Sequence, residues 1–218
     1  MPPDNESEKR KIMPVTTSSR EIIQNIALGV LEKNNIRKPP VIAADLARTL
    51  GFKVLCAKIS PECVAGFIDV DNREIVVNRE DAPVKQNFTI AHELGHYLLD
   101  HYKNDNYKDN YSVLLRDTCE GEDTQMEQEA SWFAESLLIP IDFLVKRIVK
   151  YPFVTNQQLA RMFGVPSALI RRKATKIRRS VINMGGGYNY TVSFFNLFSF
   201  ILRSSFVSLK FSISSCIS

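Results

Sequence analysis

One short string, TIAHELGHYLLDH, constrains this chain more than any other part of its sequence. His92 and His96 stand four residues apart in a segment, residues 85–100, that is predicted to be helical, so both imidazoles project from one helix face. Two nitrogens on one face can reach a single zinc ion, while Glu93 between them reaches a water on the metal rather than the metal itself. The pattern predicts a metal-binding helix; the alternative is an amphipathic helix that carries two hydrogen-bonded histidines.

A zinc ion that keeps one position open for water needs a third protein ligand. His101 is the nearest candidate, but in a continued helix it would point about 140° away from His96. It is therefore a poor ligand unless the helix breaks at Asp100. Otherwise His101 is a hydrogen-bond donor near the site or a surface residue, and we expect a surface residue.

The string EQEASWFAESLLIP, which falls in a helix predicted for residues 125–138, offers a carboxylate ligand instead. On a helical wheel Glu127 falls within about 60° of small and apolar residues such as Ala130, whereas Glu129 falls about 200° from Glu127. A carboxylate among apolar side chains is costly unless it is paired or binds a metal. We expect Glu127 to be the third ligand, with Glu129 as the second choice; in the remaining case both are surface acids.

Together these two strings resemble the ImmA/IrrE family of zinc metallopeptidases, whose members combine an apolar strand hairpin, an aHElgH helix and a helix of the form E-x-x-A-N-x-F-A-x-x-LL-x-P. The resemblance implies that His92, His96 and Glu127 bind one Zn²⁺ per chain and that Glu93 is the catalytic glutamate. Ser131 stands where the family usually has Asn or Asp, a polar residue that can support a ligand histidine. The same ligand types also accept Mn²⁺.

The residue types in this site predict a mechanism of peptide hydrolysis. Zinc lowers the pKa of a bound water towards about 7 and polarises the scissile carbonyl. Glu93 takes the water proton as general base and returns it to the leaving amine. Tyr97, His101 and Tyr102 are candidate donors to the oxyanion, although simple packing is the expected role of Tyr97.

The fold class predicted from these features is α+β, a zincin-like metallopeptidase with a small antiparallel sheet, an HExxH active-site helix and a helical C-terminal lobe that resembles a helix-turn-helix. Periodicity and turn residues predict the elements. The first is a helix that begins at residues 17–19 and stops at Asn34–Asn35, and the second is a short helix that carries Ile42 and ends at Gly51. They are followed by a strand at 52–59, a hairpin at 66–77 turning at Asp71–Asn72, helices at 85–100, 125–138 and 140–150, and two helices within 155–179.

Changes in composition divide the chain into four segments, and the resemblance covers residues 18–179. They are a disordered leader at 1–17, a zinc metallopeptidase domain at 18–152, a basic helix-turn-helix-like lobe at 153–180 and an atypical Phe/Ser-rich tail at 181–218. The tail is too polar to span a membrane and is either a strand or an end without selected structure. A signal peptide and C-x-x-C pairs are absent, so we expect a cytoplasmic protein with reduced thiols.

Charge is distributed unevenly along the chain. Ten acidic residues against three Lys and Arg stand between residues 100 and 135, while ten Lys and Arg and no acidic residue stand between residues 143 and 180. A basic lobe can meet nucleic acid or a charged protein, or can be a solvated helix face. We expect it to dock a protein substrate rather than to bind DNA directly.

The resemblance also implies a partner: a helix-turn-helix transcriptional repressor, whose cleavage derepresses genes of a mobile element or a stress circuit. One alternative is a metal-stabilised module that inactivates the repressor by binding alone, but such a module would not need the general base Glu93. A second alternative is a DNA-binding regulator that uses residues 155–179. A membrane partner is not expected, and the sequence does not predict an oligomeric state.

Overall fold

A computed structural model of the chain describes residues 17–60, 64–103 and 125–184. The predicted leader before residue 17, most of the acidic stretch after residue 103 and the Phe/Ser-rich tail after residue 184 lie outside the described residues. The chain divides into two compact units: the first contains the described residues up to Pro140 together with Phe163–Val165, and the second contains the others. Among the described residues, no helix has the length and apolarity to cross a membrane.

The first unit combines helices and strands, which agrees with the predicted α+β class. Its elements are α1 (Thr17–Lys33), α2 (Ala43–Thr49), β1 (Lys53–Ala57), β2 (Gly66–Asp69), β3 (Glu74–Asn78), α3 (Pro83–Leu98) and α4 (Gln125–Leu138). A short 3-10 turn, His101–Lys103, follows α3. The bounds of α4 agree with the prediction, whereas α3 begins and ends two residues earlier than predicted.

The three strands form one mixed sheet in the order β1-β3-β2, so the prediction of an antiparallel sheet is wrong for one of its two pairings. β2 and β3 pair antiparallel as the predicted hairpin, with Asp69 opposite Glu74. β1 pairs parallel to β3, with Lys53 beside Glu74. Alternation along a strand predicts its faces but not its neighbours. β3 pairs with β2 on one edge and with β1 on the other, so it is the central strand, and its residues Ile75 and Val77 are buried.

Helix α3 packs against α2, α4, β2 and β3, and its second half, Thr89–His96, is buried at every position. Helices α3 and α4 approach each other closely at Gly95. A Cβ at Gly95 would lie 3.1 Å from the Cα and the carbonyl oxygen of Ala130 and 3.1 Å from Phe133 Cδ1. Because backbone atoms cannot rotate away, only glycine allows α3 and α4 to approach this closely.

The second unit contains α5 (Ile141–Lys150), α7 (Ser167–Met184) and most of α6 (Asn156–Phe163). Helix α5 packs against α7. On α7, Arg178 donates hydrogen bonds to Asn156 Oδ1 at 2.7 Å and to the carbonyl oxygen of Val154 at 2.6 Å. Helix α7 continues to Met184, inside the segment that the sequence predicts to be the tail. The resemblance of this region to a helix-turn-helix stays a prediction.

Replacing Gly95 by valine is expected to lower the free energy of unfolding by about 1–3 kcal/mol, because the new side chain overpacks a backbone contact. Gly29→Val is the matched control, since Gly29 is exposed on α1 and a Cβ there meets nothing within 4 Å. The control is expected to change the free energy of unfolding by less than about 0.5 kcal/mol. Urea unfolding in the presence of a chelator measures both values, and equal stability of the two variants would contradict the close contact of α3 with α4.

Candidate metal centre

Three side chains predicted as metal ligands come together in the first unit. His92 and His96 lie one turn apart on α3, are 4% and 3% exposed, and have their Nε2 atoms 3.1 Å apart. Glu127 comes from the first turn of α4; its Oε2 lies 3.1 Å from His92 Nε2 and its Oε1 lies 3.3 Å from His96 Nε2. The packing of α4 on α3 therefore brings a carboxylate to the pair of imidazoles.

The spacing of these donor atoms fits a zinc ion. In a tetrahedral zinc site with bonds of about 2.0–2.1 Å, ligand atoms lie about 3.3 Å apart. His92 Nε2 lies 3.1 Å from His96 Nε2 and 3.1 Å from Glu127 Oε2, while His96 Nε2 lies 3.3 Å from the other carboxylate oxygen, Oε1. One ligand atom from each of the three residues lies within 4.8 Å of the other two. Two imidazoles and one carboxylate are a usual ligand set of catalytic zinc, and the same set accepts manganese. The residues present thus fit the metal that the sequence predicts.

The charge state of Glu127 also suits a ligand. Burial alone would raise the pKa of its carboxyl, but hydrogen bonds from His92 and His96 outweigh that effect and hold the pKa well below its ordinary value. The carboxyl is therefore ionised at neutral pH. An ionised carboxylate is the form that binds a divalent cation.

Glu93, the predicted general base, follows His92 on α3 and is 6% exposed. It belongs to the buried half of the helix, and its backbone directly follows that of the predicted ligand His92. The role of Glu93 in proton transfer stays a prediction.

Each histidine of the pair uses its second ring nitrogen for a contact within the protein. His92 Nδ1 lies 3.3 Å from Ser131 Oγ, so the serine reaches the histidine although it is shorter than the family's usual Asn or Asp. His96 Nδ1 lies 3.0 Å from His101 Nδ1. Contacts of this kind set the tautomer and the ring orientation of a metal-binding histidine.

The prediction that His101 is a surface residue is wrong, because His101 is 7% exposed and contacts His96. Helix α3 ends at Leu98, and Asp100 then adopts a left-handed backbone conformation with φ of 58°. The chain therefore reverses at Asp100, and His101 lies beside His96 rather than at the position that a continued helix would give it. The helical wheel could not predict the reversal, since it assumes that the helix continues.

Glu129, the second choice for the third ligand, contacts His101 instead of the three donors. Its Oε2 lies 3.2 Å from His101 Nε2, and its Oε1 accepts a hydrogen bond from Gln125 Nε2 at 2.8 Å. Burial, and then the neighbouring His96, lower the pKa of His101 to about 4 against the opposing effect of Glu129. His101 is therefore neutral at pH 7.

Tyr97 makes the contacts of a packing residue. Its hydroxyl oxygen accepts a hydrogen bond from Arg73 Nη1 at 2.9 Å, and its ring meets Phe52 edge to face with centroids 4.8 Å apart. The ring of Tyr102 stacks on the ring of Tyr97, with centroids 5.8 Å apart. These contacts agree with the packing role expected for Tyr97, and the identity of an oxyanion donor stays open.

Comparison with known proteins assigns the chain to a family. The model of a peptidase family described as the IrrE N-terminal-like domain matches residues 47–175, more than half of the chain. Over 92 aligned residues, the chain is 34% identical to the metallopeptidase ImmA of Bacillus subtilis (strain 168). This alignment covers 42% of this chain and 50% of that protein.

A solved structure shares the fold at low sequence identity. A Mycobacterium tuberculosis transcriptional regulator superposes with a TM-score of 0.51 at 16% identity, over 68% of this chain and 45% of that chain. The chain thus spans half or less of the length of these relatives. On the family match, this protein belongs to the family of peptidases with an IrrE N-terminal-like domain.

Proposed function

We propose that this protein is a zinc-dependent endopeptidase of the EC 3.4.24 type, in which His92, His96 and Glu127 bind the metal and Glu93 is the general base. The observation that carries the proposal is the meeting of three ligand residues from two helices of a peptidase-family domain, with one ligand atom of each within 4.8 Å of the other two. Manganese in place of zinc is compatible with the same ligands. The cellular compartment we infer is the cytoplasm.

The chemistry divides between the metal and the chain. Zinc, when bound, polarises the scissile carbonyl and lowers the pKa of a bound water. Glu93 accepts the proton of the attacking water while the water oxygen adds to the carbonyl carbon. The same carboxyl then donates that proton to the amine nitrogen as the carbon–nitrogen bond breaks. A general base adds typically 10²–10⁴-fold to a rate, so Glu93 carries a large share of the catalysis.

We infer that the substrate is a helix-turn-helix transcriptional repressor, whose cleavage derepresses genes. The inference rests on the resemblance to ImmA/IrrE proteins and is compatible with the regulator that shares the fold. The ten Lys and Arg between residues 143 and 180, with no acidic residue, give the second unit a charge that suits an acidic face on a protein partner. This basic segment would bring the substrate to the enzyme, while the first unit would cleave it.

Two alternatives make different demands on the same residues. A module that inactivates the repressor by binding alone would keep the metal site but would not need Glu93. A DNA-binding regulator would need the basic surface of α7 and would not need the metal site at all. Measurements of metal content, peptide hydrolysis and DNA affinity therefore distinguish the peptidase, the binding module and the DNA-binding regulator.

The purified full-length chain is expected to bind about one zinc, and His92→Ala and Glu127→Ala are expected to lose it, because each variant removes a ligand. Glu80→Ala is the control, since Glu80 forms a surface ion pair with Lys58 at 3.3 Å. Elemental analysis after dialysis measures the metal per chain. Zinc retained in Glu127→Ala would move the third ligand to another residue, and a wild-type chain without metal after refolding with zinc would overturn the peptidase proposal.

Glu93→Gln is expected to keep one zinc per chain and to lose about 10²–10⁴-fold in the rate of peptide hydrolysis, because glutamine keeps the shape of the base but cannot accept the proton. The assay uses the proposed substrate, a helix-turn-helix repressor, and gel electrophoresis with mass spectrometry detects its fragments. Glu80→Gln is the control for the loss of one negative charge. Inactivation of the repressor by wild type and Glu93→Gln alike, without fragments, would favour the binding module.

Duplex DNA is expected to bind only non-specifically, with a Kd of about 10⁻⁴–10⁻⁶ M at physiological salt, since we assign the basic surface of α7 to a protein partner. Fluorescence anisotropy between 50 and 200 mM salt measures the affinity and its slope. A specific site with a Kd below about 10⁻⁸ M would instead support the DNA-binding regulator. In that case Arg171→Ala, which removes an exposed cation of α7, would reduce the salt slope by about one.

A further inference from the structure

A continuous line of side chains runs outward from His96. His101 Nδ1 lies 3.0 Å from His96 Nδ1, and His101 Nε2 lies 3.2 Å from Glu129 Oε2. Glu129 Oε1 in turn accepts a hydrogen bond from Gln125 Nε2 at 2.8 Å. We call His96, His101, Glu129 and Gln125 the outer line. It joins the end of α3 to the first turn of α4.

The chemistry of an imidazole ligand leaves one arrangement of hydrogens in the outer line. A neutral imidazole that gives the lone pair of Nε2 to a metal carries its hydrogen on Nδ1. His96 Nδ1–H must then donate to His101 Nδ1, which can accept only if the hydrogen of His101 is on Nε2. His101 Nε2–H in turn donates to the Glu129 carboxylate. Every imidazole N–H in the outer line meets an acceptor in this arrangement.

The position of Glu129 gives the outer line a second consequence. Glu127 and Glu129 stand two residues apart near the start of α4, and Glu127 lies in its first turn. Glu127 faces the Nε2 atoms of the histidine pair, while Glu129 reaches the far side of His96 through His101. One helical turn therefore supplies both a predicted ligand and the anchor that orients another ligand. A shift of α4 would disturb both together.

We propose that His101 and Glu129 are positioning residues that keep His96 in the Nδ1–H tautomer and hold its ring so that Nε2 faces the metal. The inference rests on the metal site proposed above. His101 is not itself placed as a ligand, because its Nδ1 contacts the ring nitrogen of His96 that lies opposite Nε2. Nor is it placed as an oxyanion donor, because both of its nitrogens have partners within the outer line.

The two histidines of the pair are supported unequally. His92 Nδ1 has a neutral serine hydroxyl 3.3 Å away, whereas His96 Nδ1 is connected through His101 to a carboxylate. The hydrogen bond from His101 to this carboxylate involves an ionised partner, and such bonds are about twice as strong as neutral ones, so His101 is held firmly beside His96. His96 is thus the more rigidly oriented ligand, and loss of its support is expected to weaken metal binding more than loss of Ser131.

Zinc affinity of the full-length chain, measured by competition with a chromophoric chelator, tests the proposal. His101→Ala is expected to bind zinc about 10–100-fold more weakly than wild type, as is typical when a partner of a metal-binding histidine is removed. His101→Asn is expected to recover part of this loss, because its Oδ1 replaces the Nδ1 acceptor. Glu129→Gln is also expected to weaken zinc binding. Glu80→Gln makes the same charge change in a surface ion pair and is expected to have a smaller effect on the affinity. Ser131→Ala, which removes the hydroxyl beside His92, is likewise expected to have a smaller effect.

A second measurement does not depend on any variant. Long-range ¹H–¹⁵N spectra of the zinc-loaded wild type are expected to show the proton of His96 on Nδ1 and the proton of His101 on Nε2 at pH 7. A His101 proton on Nδ1, or wild-type affinity in His101→Ala, would overturn the positioning role while leaving the metal site intact. A wild-type chain that binds no zinc would instead overturn the proposed function, and the positioning role of His101 and Glu129 would be overturned with it. Circular dichroism of each metal-free variant verifies that it folds.

Discussion

The close contact of α3 with α4 at Gly95 is the constraint on which the candidate site depends. A tetrahedral metal site requires ligand atoms about 3.3 Å apart, and here one of the three comes from a different helix. Gly95 precedes His96, and the backbone of Ala130, which Gly95 meets, lies three residues after Glu127. A side chain at Gly95 would separate the two backbones at the level of the ligands. Glycine between the histidines thus sets the distance at which a carboxylate from α4 can meet them.

The features that the sequence predicts well are those set by local periodicity. The four-residue spacing of His92 and His96 determines their common face on any helix, and α4 has the predicted bounds because its apolar positions repeat with the helical period. The helical wheel also distinguished Glu127 from Glu129, since only one of them shares a face with the small residues that pack on α3. Local chemistry and resemblance together sufficed to name the residues that the structure brings together.

The features that the sequence did not predict depend on contacts between distant segments. Alternation in β1 and β3 carries no information about which strands are neighbours, so the parallel pairing was missed. His101 was expected at the surface because a wheel extends the helix past Leu98, whereas Asp100 leaves the helical region. An aspartate with positive φ is tolerated since its short polar side chain makes the left-handed conformation less costly. No periodic pattern signals such a reversal.

The burial of three imidazoles together is only favourable if their nitrogens are satisfied in directions that do not compete. In this site, the two nitrogens of each ring make contacts in different directions. The Nε2 atoms of His92 and His96 converge on Glu127, while their Nδ1 atoms point to Ser131 and His101. Because the outward contacts already orient the rings, binding of a cation needs little rearrangement of the protein. Because the donors are already oriented, little of the binding free energy of a metal would be lost in ordering the chain.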